Sequence, residues 1–241
     1  MPLALRFEAW QGKVWRLIEG QYRPATLKIV DSAGEQDRLE ALLEASKPAI
    51  PPECAHLDYQ FSAPFRYGLY PHASRFRRPG RTPGVFYAAE SPLTAALESA
   101  WWLVRFYRAS PGTPLPTIPT AHTAILAEVQ VPLAVDLTAP DNAALGRWDD
   151  PEDYTDCLDM AESVRAQGCE AIRYASARDS RQGRNLAVLS CRAFAKPQPV
   201  DGQSWHLYLM RERVVLTNET LWQRYEYGVG EVGFVRAQES G

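Results

Sequence analysis

Long apolar runs are missing from the sequence, and their absence limits where the protein is expected to reside. None of the 241 residues belongs to an apolar stretch of the roughly 20 residues that a membrane-spanning helix requires. The first residues, MPLALRFEAWQGKVWRL, interrupt their apolar positions with Arg6, Glu8, Lys13 and Arg16, which is not typical of a signal peptide. We therefore expect a cytoplasmic protein that does not associate with membranes.

Cysteine and histidine are scarce, with four residues of each, and neither is spaced for a metal site. The cysteines include no CxxC pair, and Cys54 with His56 is the only close pairing of the two residue types. A tetrahedral zinc site needs a second such pair. The sequence therefore predicts no metal, and it predicts that Cys54, Cys157, Cys169 and Cys191 are reduced and structural.

Motifs of common hydrolases and nucleotide-binding enzymes are also missing, since neither a GxSxG elbow nor a GxxxxGKS loop is present. The net charge of -3 argues against the extended basic surface that binds duplex nucleic acid. Five arginines nevertheless fall within residues 66–81, namely Arg66, Arg75, Arg77, Arg78 and Arg81. This local concentration of guanidinium groups predicts a site for a compact anion.

Arginine suits such a site because its guanidinium makes two parallel hydrogen bonds to a phosphate. Arg66 and Arg75 have no charged neighbour in sequence, so these two are expected to point inward. Any single arginine of the cluster could instead be a solvated loop residue. Pro71, Pro79 and Gly80 favour a loop that can close over a ligand.

Composition favours one globular core of the α+β class. Hydrophobic residues make up 46% of the chain, and 19 prolines with 15 glycines predict many turns. Leu39, Leu42 and Leu43 recur at helical spacing within EQDRLEALLEA (35–45), which predicts an amphipathic helix, and the proline-rich KPAIPPE that follows suits a linker. We therefore divide the chain into an N-terminal extension, residues 1–60, and a main domain, residues 61–241.

Local patterns predict strands and helices in mixed order within the main domain. Ser91 and Pro92 suit a helix N-cap and first helical position, so a helix follows the short strand GVFYAA. Gly168 is suited to end another helix in the left-handed conformation. The other predicted elements are strands before and after Pro132, a helix at 151–167, a hairpin of 170–176 with 186–190, and two strands within 204–218.

Several polar residues could form a site beside the arginines, although each also has a structural explanation. Glu98 lies in the predicted helix near a Trp pair that argues against full exposure, yet charged helix residues are normally solvated. Tyr87 alternates with Phe86 along the short strand, and its polar tip makes it the better candidate for a pocket. Ser176 and Asn185 flank a polar turn that both could help to form.

These segments resemble the RES-domain toxins, a family named for a characteristic Arg, Glu and Ser. The resemblance rests on FRYG (65–68), SRFRR (74–78), GVFYAAESPLTAALE (84–98), and GCEAIRYAS with GRNLAVLS (168–190), and the third segment is the most specific. It implies a fold similar to the ADP-ribosyltransferase core, with small β-sheets and flanking helices, in residues 61–241. It also implies NAD+ as the substrate and an Xre-like helix-turn-helix antitoxin that covers the active site.

Carried over by position, the resemblance places the family's glutamate at Glu98, its serine at Ser176 and its pocket tyrosine at Tyr87. The catalytic set it implies is Glu98, Arg66 and Ser176. A second arginine falls on Arg75 or Arg78, because SRFRR departs from the shorter GGRW form of the family. The residues expected to bind NAD+ are Arg66, Tyr67, Arg75, Arg78, Tyr87 and Asn185.

The reaction expected from this resemblance is cleavage of the nicotinamide–ribose bond and transfer of ADP-ribose to a protein target, which arrests bacterial growth. A carboxylate such as Glu98 can stabilise the oxocarbenium character that develops on the ribose. Water or phosphate could replace the protein as acceptor, giving an NAD+ glycohydrolase or phosphorylase. An RNA-binding or RNA-cleaving toxin is the alternative from another class, although the acidic balance of the chain opposes direct nucleic-acid binding.

Overall fold

The computed structural model describes residues 4–20, 32–67 and 70–236, which leaves Gly68 of the FRYG segment outside the described residues. The predicted α+β class is confirmed. The helices are α1 (Ala33–Ser46), α2 (Tyr59–Arg66), α3 (Pro92–Ala109), α4 (Pro140–Ala143) and α5 (Thr155–Ala166). The strands are β1 (Phe7–Glu19), β2 (Phe86–Ala89), β3 (Thr120–Asp136), β4 (Ala171–Ala175), β5 (Arg184–Val188), β6 (Asp201–Leu209), β7 (Arg213–Asn218), β8 (Gln223–Val229) and β9 (Phe234–Arg236). No helix in these ranges is long and apolar enough to cross a lipid bilayer.

The strands form one connected sheet rather than the several small sheets that were predicted. Their order is β1-β2-β5-β4-β3-β6-β7-β8-β9, and β1 also pairs with β3, so the first five strands of that order close into a ring. Strand β3 makes this connection possible because it is 17 residues long. Along one edge it pairs with β6 over residues 120–126 and with β4 over 134–136, and β1 takes the other edge.

Strand β1 lies in the segment that the sequence assigned to an N-terminal extension. It pairs with β3 from Phe7 opposite Val135 to Glu19 opposite His122, so this segment contributes a strand to the main sheet. Along β1 only Val14 and Leu17 are buried. The apolar residues of FEAWQGKVWRLIE do not alternate with polar ones, so periodicity did not reveal the strand. The division of the chain at residue 60 stays a prediction.

Strand β3 continues through Pro132, where an interruption was predicted. The register with β1 shifts between Glu8, opposite Ala134, and Trp10, opposite Val131, which places a β-bulge of β3 at Pro132 and Leu133. On the other edge of β3, neither β4 nor β6 pairs with Pro132, which is exposed. The missing N–H of proline therefore removes no ladder hydrogen bond at this position.

Helix α3 begins as predicted, with Ser91 extended at the N-cap and Pro92 as the first helical residue. One face of α3 is buried in a cluster that includes Leu17 of β1. On another face of α3, Trp102 is 50% exposed and Phe106 is 55% exposed. These two rings stand beside a cavity instead of inside the core.

The predicted hairpin is present as β4 and β5, which pair antiparallel from Ala171 opposite Val188 to Ala175 opposite Arg184. Helix α5 ends just before Gly168, whose φ of 81° is the left-handed conformation that was predicted. The two strands predicted within 204–218 are confirmed as β6 and β7.

Cys54 and Cys191 form a disulfide, contrary to the expectation that all four thiols are reduced. Their Cα atoms are 5.4 Å apart, and the bond joins two 3-10 turns, Pro52–Cys54 and Cys191–Ala193. The two cysteines are 137 residues apart in sequence, so their pairing depends on proximity in the fold that spacing along the chain cannot indicate. Cys157 and Cys169 are free and buried.

The disulfide should stabilise the protein chiefly by restricting the unfolded chain. Replacing Cys54 by Ser is expected to lower the free energy of unfolding by about 2–5 kcal/mol. Urea denaturation of the oxidised wild type and of Cys54→Ser measures the difference, and wild type treated with a thiol reductant is the matched control. Equal unfolding midpoints for all three samples would show that the bond contributes nothing to stability.

Candidate active site

A cavity of about 760 Å³ lies between helix α3 and strands β1, β2, β4 and β5. Its wall includes Glu98 of α3, Tyr87 of β2, Tyr174 of β4 and Asn185 of β5. Side chains from the connection 70–77 complete another side. A volume in the range of about 300–1,000 Å³ is usual for sites that bind small molecules.

Positive charge dominates the wall of this cavity. The arginines that line it are Arg16, Arg75, Arg77 and Arg178, and Glu98 is the one carboxylate among the lining residues that the structure describes. Within the described part of the chain, none of these four arginines lies within ion-pair distance of a carboxylate, whereas Arg66, Arg78 and Arg81, outside the cavity, are all ion-paired. The chain as a whole has a net charge of -3, so this charge is local and favours an anionic ligand.

Arg75 and Arg178 are held by backbone carbonyls rather than by carboxylates. Nη1 of Arg75 donates to the carbonyl of Trp148 at 2.7 Å, and the Arg75 guanidinium lies 4.6 Å from the centre of the Tyr154 ring. Nη2 of Arg178 donates to the carbonyl of Pro151 at 2.5 Å. Carbonyls and rings orient a guanidinium without neutralising it, so both charges remain available to an anion. Arg75 points inward as expected, while Arg178 was not identified from the sequence.

Arg16 reaches the cavity from strand β1. Its Nη1 donates to the carbonyl of Tyr87 at 3.1 Å, and its guanidinium lies 4.9 Å from the centre of the Phe86 ring. Burial lowers the pKa of Arg16 to about 10, which still leaves the group protonated at neutral pH. From the sequence, Arg16 served only as evidence against a signal peptide. Strand β1 was not predicted, so the sequence did not connect Arg16 with the cavity.

Glu98 is held by two side chains from the β4–β5 hairpin. Ser176 Oγ donates to Glu98 Oε1 at 2.6 Å, and Asn185 Nδ2 donates to the same oxygen at 2.7 Å. Ser176 Oγ also accepts hydrogen bonds from the backbone N–H groups of Arg178 and Asp179, at 3.2 and 3.1 Å, so its own hydrogen is directed at Glu98. Among the described residues no hydrogen bond reaches Glu98 Oε2, which leaves that oxygen to a ligand.

Tyr87 lines the cavity as predicted, while Phe86 on the opposite face of β2 is fully buried in the core. The Tyr87 hydroxyl lies 2.9 Å from Ser74 Oγ and accepts a hydrogen bond from the backbone N–H of Phe76 at 3.1 Å. Burial raises the pKa of Tyr87, so the phenol is neutral. Its hydroxyl therefore fixes the loop that carries Arg75.

Two arginines that were expected to bind NAD+ lie outside the cavity, and Tyr67 alone of the FRYG residues described lines it. Arg66, at the end of α2, donates to the carbonyl of Pro48 and forms an ion pair with Glu44 of α1 at 2.5 Å. Arg78 is ion-paired with Glu162 of α5 at 3.0 Å. In both cases a neighbouring helix supplies a carboxylate that the sequence order did not place nearby. Arg75 and Arg77 are the members of the cluster that reach the cavity.

No group of three or more His, Cys, Asp or Glu side chains in the described ranges could hold a metal ion. The four arginines of the cavity are suited to bind an anion, and Glu98 places a carboxylate beside it. The residues predicted from the sequence that the fold brings together are Tyr67, Arg75, Tyr87, Glu98, Ser176 and Asn185.

No curated protein matches the chain. Among solved structures, one chain from the crystal structure of the M. tuberculosis MbcT-MbcA toxin-antitoxin complex is similar, with 15% sequence identity and a TM-score of 0.44. The similarity covers 81% of this chain and 85% of that chain. The RES domain family matches residues 50–210, a span that includes Glu98, Ser176 and Asn185. Because this match extends over more than half of the 241 residues, the chain belongs to the RES domain family.

Proposed function

We propose that this protein is a bacterial toxin that cleaves the nicotinamide–ribose bond of NAD+ and transfers ADP-ribose to a protein target. The observation that carries the proposal is one carboxylate, Glu98, in a cavity lined by four arginines that have no ion-pair partner among the described residues. NAD+ has the complementary arrangement, because its anionic pyrophosphate is close to a ribose that becomes cationic in the transition state. Membership of the RES domain family supports the same assignment.

The arginines would bind the pyrophosphate. Arg75 and Arg178 are already oriented by carbonyl groups, so little side-chain entropy is lost when they bind a phosphate. Arg16 and Arg77 supply two further cations from β1 and from the loop before β2. A guanidinium that has no carboxylate partner gains more from an incoming phosphate than one that must first break an ion pair.

Glu98 would stabilise the ribose as the bond to nicotinamide breaks. Its Oε1 is occupied by Ser176 and Asn185, so the side chain is fixed while Oε2 can face the developing positive charge or accept a ribose hydroxyl. Nicotinamide leaves as a neutral molecule, so no general acid is required. Ser176 acts by positioning Glu98, and the ring of Tyr87 offers a face on which nicotinamide can stack.

The acceptor of ADP-ribose distinguishes this proposal from its closest alternatives. Incubating the protein with NAD+ labelled in the adenylate half, alone, with cell lysate or with inorganic phosphate, separates three products. Label that becomes bound to protein supports transfer, free ADP-ribose indicates a glycohydrolase, and phosphate-dependent ADP-ribose phosphate indicates a phosphorylase. Intact NAD+ after prolonged incubation would contradict all three.

An Xre-like helix-turn-helix antitoxin that covers the cavity completes the proposal, with the pair acting in the cytoplasm. Among the described residues, the wall of the cavity carries four positive charges against one negative charge, so the covering segment should present carboxylates. A partner that occupies the cavity must compete with NAD+, because two ligands of one site weaken each other reciprocally.

Glu98→Gln should keep the fold and remove most NAD+ cleavage. The amide oxygen of Gln can still accept the hydrogen bonds from Ser176 and Asn185, so shape is preserved while the negative charge is lost. We expect turnover to fall by about a hundredfold or more, with a smaller effect on binding. Steady-state assays of nicotinamide release measure the change.

Glu162→Gln is the matched control for Glu98→Gln, because it makes the same chemical change in α5 outside the cavity. It should turn over NAD+ at the wild-type rate. Wild-type turnover by a correctly folded Glu98→Gln variant would exclude Glu98 from the chemistry.

Arg75→Gln and Arg16→Gln should each weaken NAD+ binding by about tenfold or more, because a charge-assisted hydrogen bond to phosphate is lost. A carbocyclic NAD+ analogue that cannot be cleaved allows the dissociation constant to be measured by calorimetry without turnover. Arg75→Lys should restore binding only in part, since an ammonium cannot make two parallel hydrogen bonds.

Arg78→Gln is the control for these two variants, because Arg78 is ion-paired with α5 outside the cavity. Its dissociation constant for the analogue should equal that of the wild type. Arg66→Gln should lower the melting temperature rather than the affinity, since Arg66 joins α2 to α1. If Arg66 or Arg78 affected binding as strongly as Arg75, the assignment of the anion site would be wrong.

A further inference from the structure

Asn185 presents a buried acceptor atom that has no hydrogen-bond partner among the described residues. It is 1% exposed and is the second residue of β5, opposite Ala89 of β2 and Tyr174 of β4. Its Nδ2 donates to Glu98 Oε1 at 2.7 Å, but its Oδ1 forms no hydrogen bond with any residue that the structure describes. Buried polar atoms are nearly always hydrogen-bonded, and Asn185 lines the cavity, so the missing partner is expected in a ligand.

The direction of this acceptor is fixed by Glu98. A carboxylate can only accept hydrogen bonds, so the NH2 group of Asn185 must face Glu98 Oε1 and the carbonyl oxygen must point away from it. Rotating the amide by half a turn would place two acceptors against each other. The group that meets Asn185 Oδ1 must therefore be a donor, an N–H or an O–H.

The surroundings of Asn185 favour a flat aromatic ligand group. Residues directly opposite in an antiparallel pair share one face of the sheet, so Ala89, Asn185 and Tyr174 lie side by side. Tyr87, two residues from Ala89 along β2, shares that face. All four of these residues line the cavity. Because two of them are aromatic, a flat aromatic ring packs against this face better than a ribose does.

We propose that Asn185 Oδ1 accepts a hydrogen bond from the carboxamide N–H of nicotinamide, and that Asn185 thereby selects for this ring. The inference rests on the proposed cleavage of NAD+ and adds the contact that recognises its leaving group. One side chain would then serve two purposes. Its NH2 group positions Glu98 for the ribose, and its oxygen accepts a hydrogen bond from the carboxamide of the nicotinamide leaving group.

Substrate analogues test this contact directly. In 3-acetylpyridine adenine dinucleotide a methyl group replaces the NH2 of the carboxamide, so the donor is lost while size and charge are kept. Wild-type protein should prefer NAD+ to this analogue by about tenfold or more in kcat/KM, because the acetyl group leaves Asn185 Oδ1 unpaired. In Asn185→Ser the preference should fall to the ratio set by the chemistry of the two leaving groups alone.

Ser176→Ala is the matched control, because it removes the other donor to Glu98 Oε1 and leaves Asn185 Oδ1 in place. Its turnover should fall with both substrates, while the wild-type preference for NAD+ is kept. A merely structural role for Asn185 would instead make Asn185→Ser behave like Ser176→Ala. Melting temperatures of both variants confirm that they are folded.

A third substrate separates the carboxamide from the ribose as the source of the donor. If 2′-deoxyribosyl NAD+ were rejected by wild type and accepted by Asn185→Ser, with discrimination against the acetylpyridine analogue unchanged, the assignment to the carboxamide would be overturned. An unchanged preference for NAD+ in Asn185→Ser would also overturn it while leaving NAD+ cleavage intact. Failure of wild type to cleave NAD+ would contradict the proposed function instead.

Discussion

Helix α3 is fastened to the end of the β4–β5 hairpin at two levels, and the cavity depends on this attachment. Thr94 Oγ1 donates to Asp179 Oδ2 at 2.8 Å, and one turn later Glu98 accepts hydrogen bonds from Ser176 and Asn185. Residues four apart lie on one face of a helix, so both contacts meet the same loop. Rotation of α3 would break both sets of hydrogen bonds at once. Glu98 therefore keeps its orientation without a bound ligand.

The loop can come this close to α3 because residue 183 is glycine. A Cβ atom at Gly183 would lie 2.4 Å from Thr94 Oγ1 and 2.6 Å from Asp179 Oδ2, closer than such atoms approach. Burial alone would raise the pKa of Asp179, but hydrogen bonds from Arg181 and Thr94 lower it, so Asp179 is ionised. Arg181, which resembles an exposed turn residue in sequence, therefore neutralises the buried carboxylate that anchors the helix.

Local signals predicted much of the site, because its central residues lie in elements with strong caps and turns. Ser91 and Pro92 mark the start of α3, and the hairpin that carries Ser176 and Asn185 follows from its turn residues. The partners of the arginines could not be predicted in this way. Arg66 and Arg75 look alike in sequence, because both have aromatic or hydroxyl neighbours. Only Arg75 lines the cavity, since Arg66 pairs instead with Glu44 of α1, 22 residues away in the chain.

The N-terminal strand shows most clearly how long-range pairing decides the chemistry of the cavity. The region matched by the RES domain begins at residue 50, yet Trp15, Arg16 and Leu17 of β1 lie in the cavity wall. Strand β1 pairs with β3 along most of its length and meets β2 at Trp15 opposite Ala89, so it closes the ring of strands beside the site. That closure brings the guanidinium of Arg16 to the carbonyl of Tyr87. One of the four arginines that line the described part of the cavity thus depends on a strand outside the family region, and the charge that favours an anionic ligand is a property of the whole sheet.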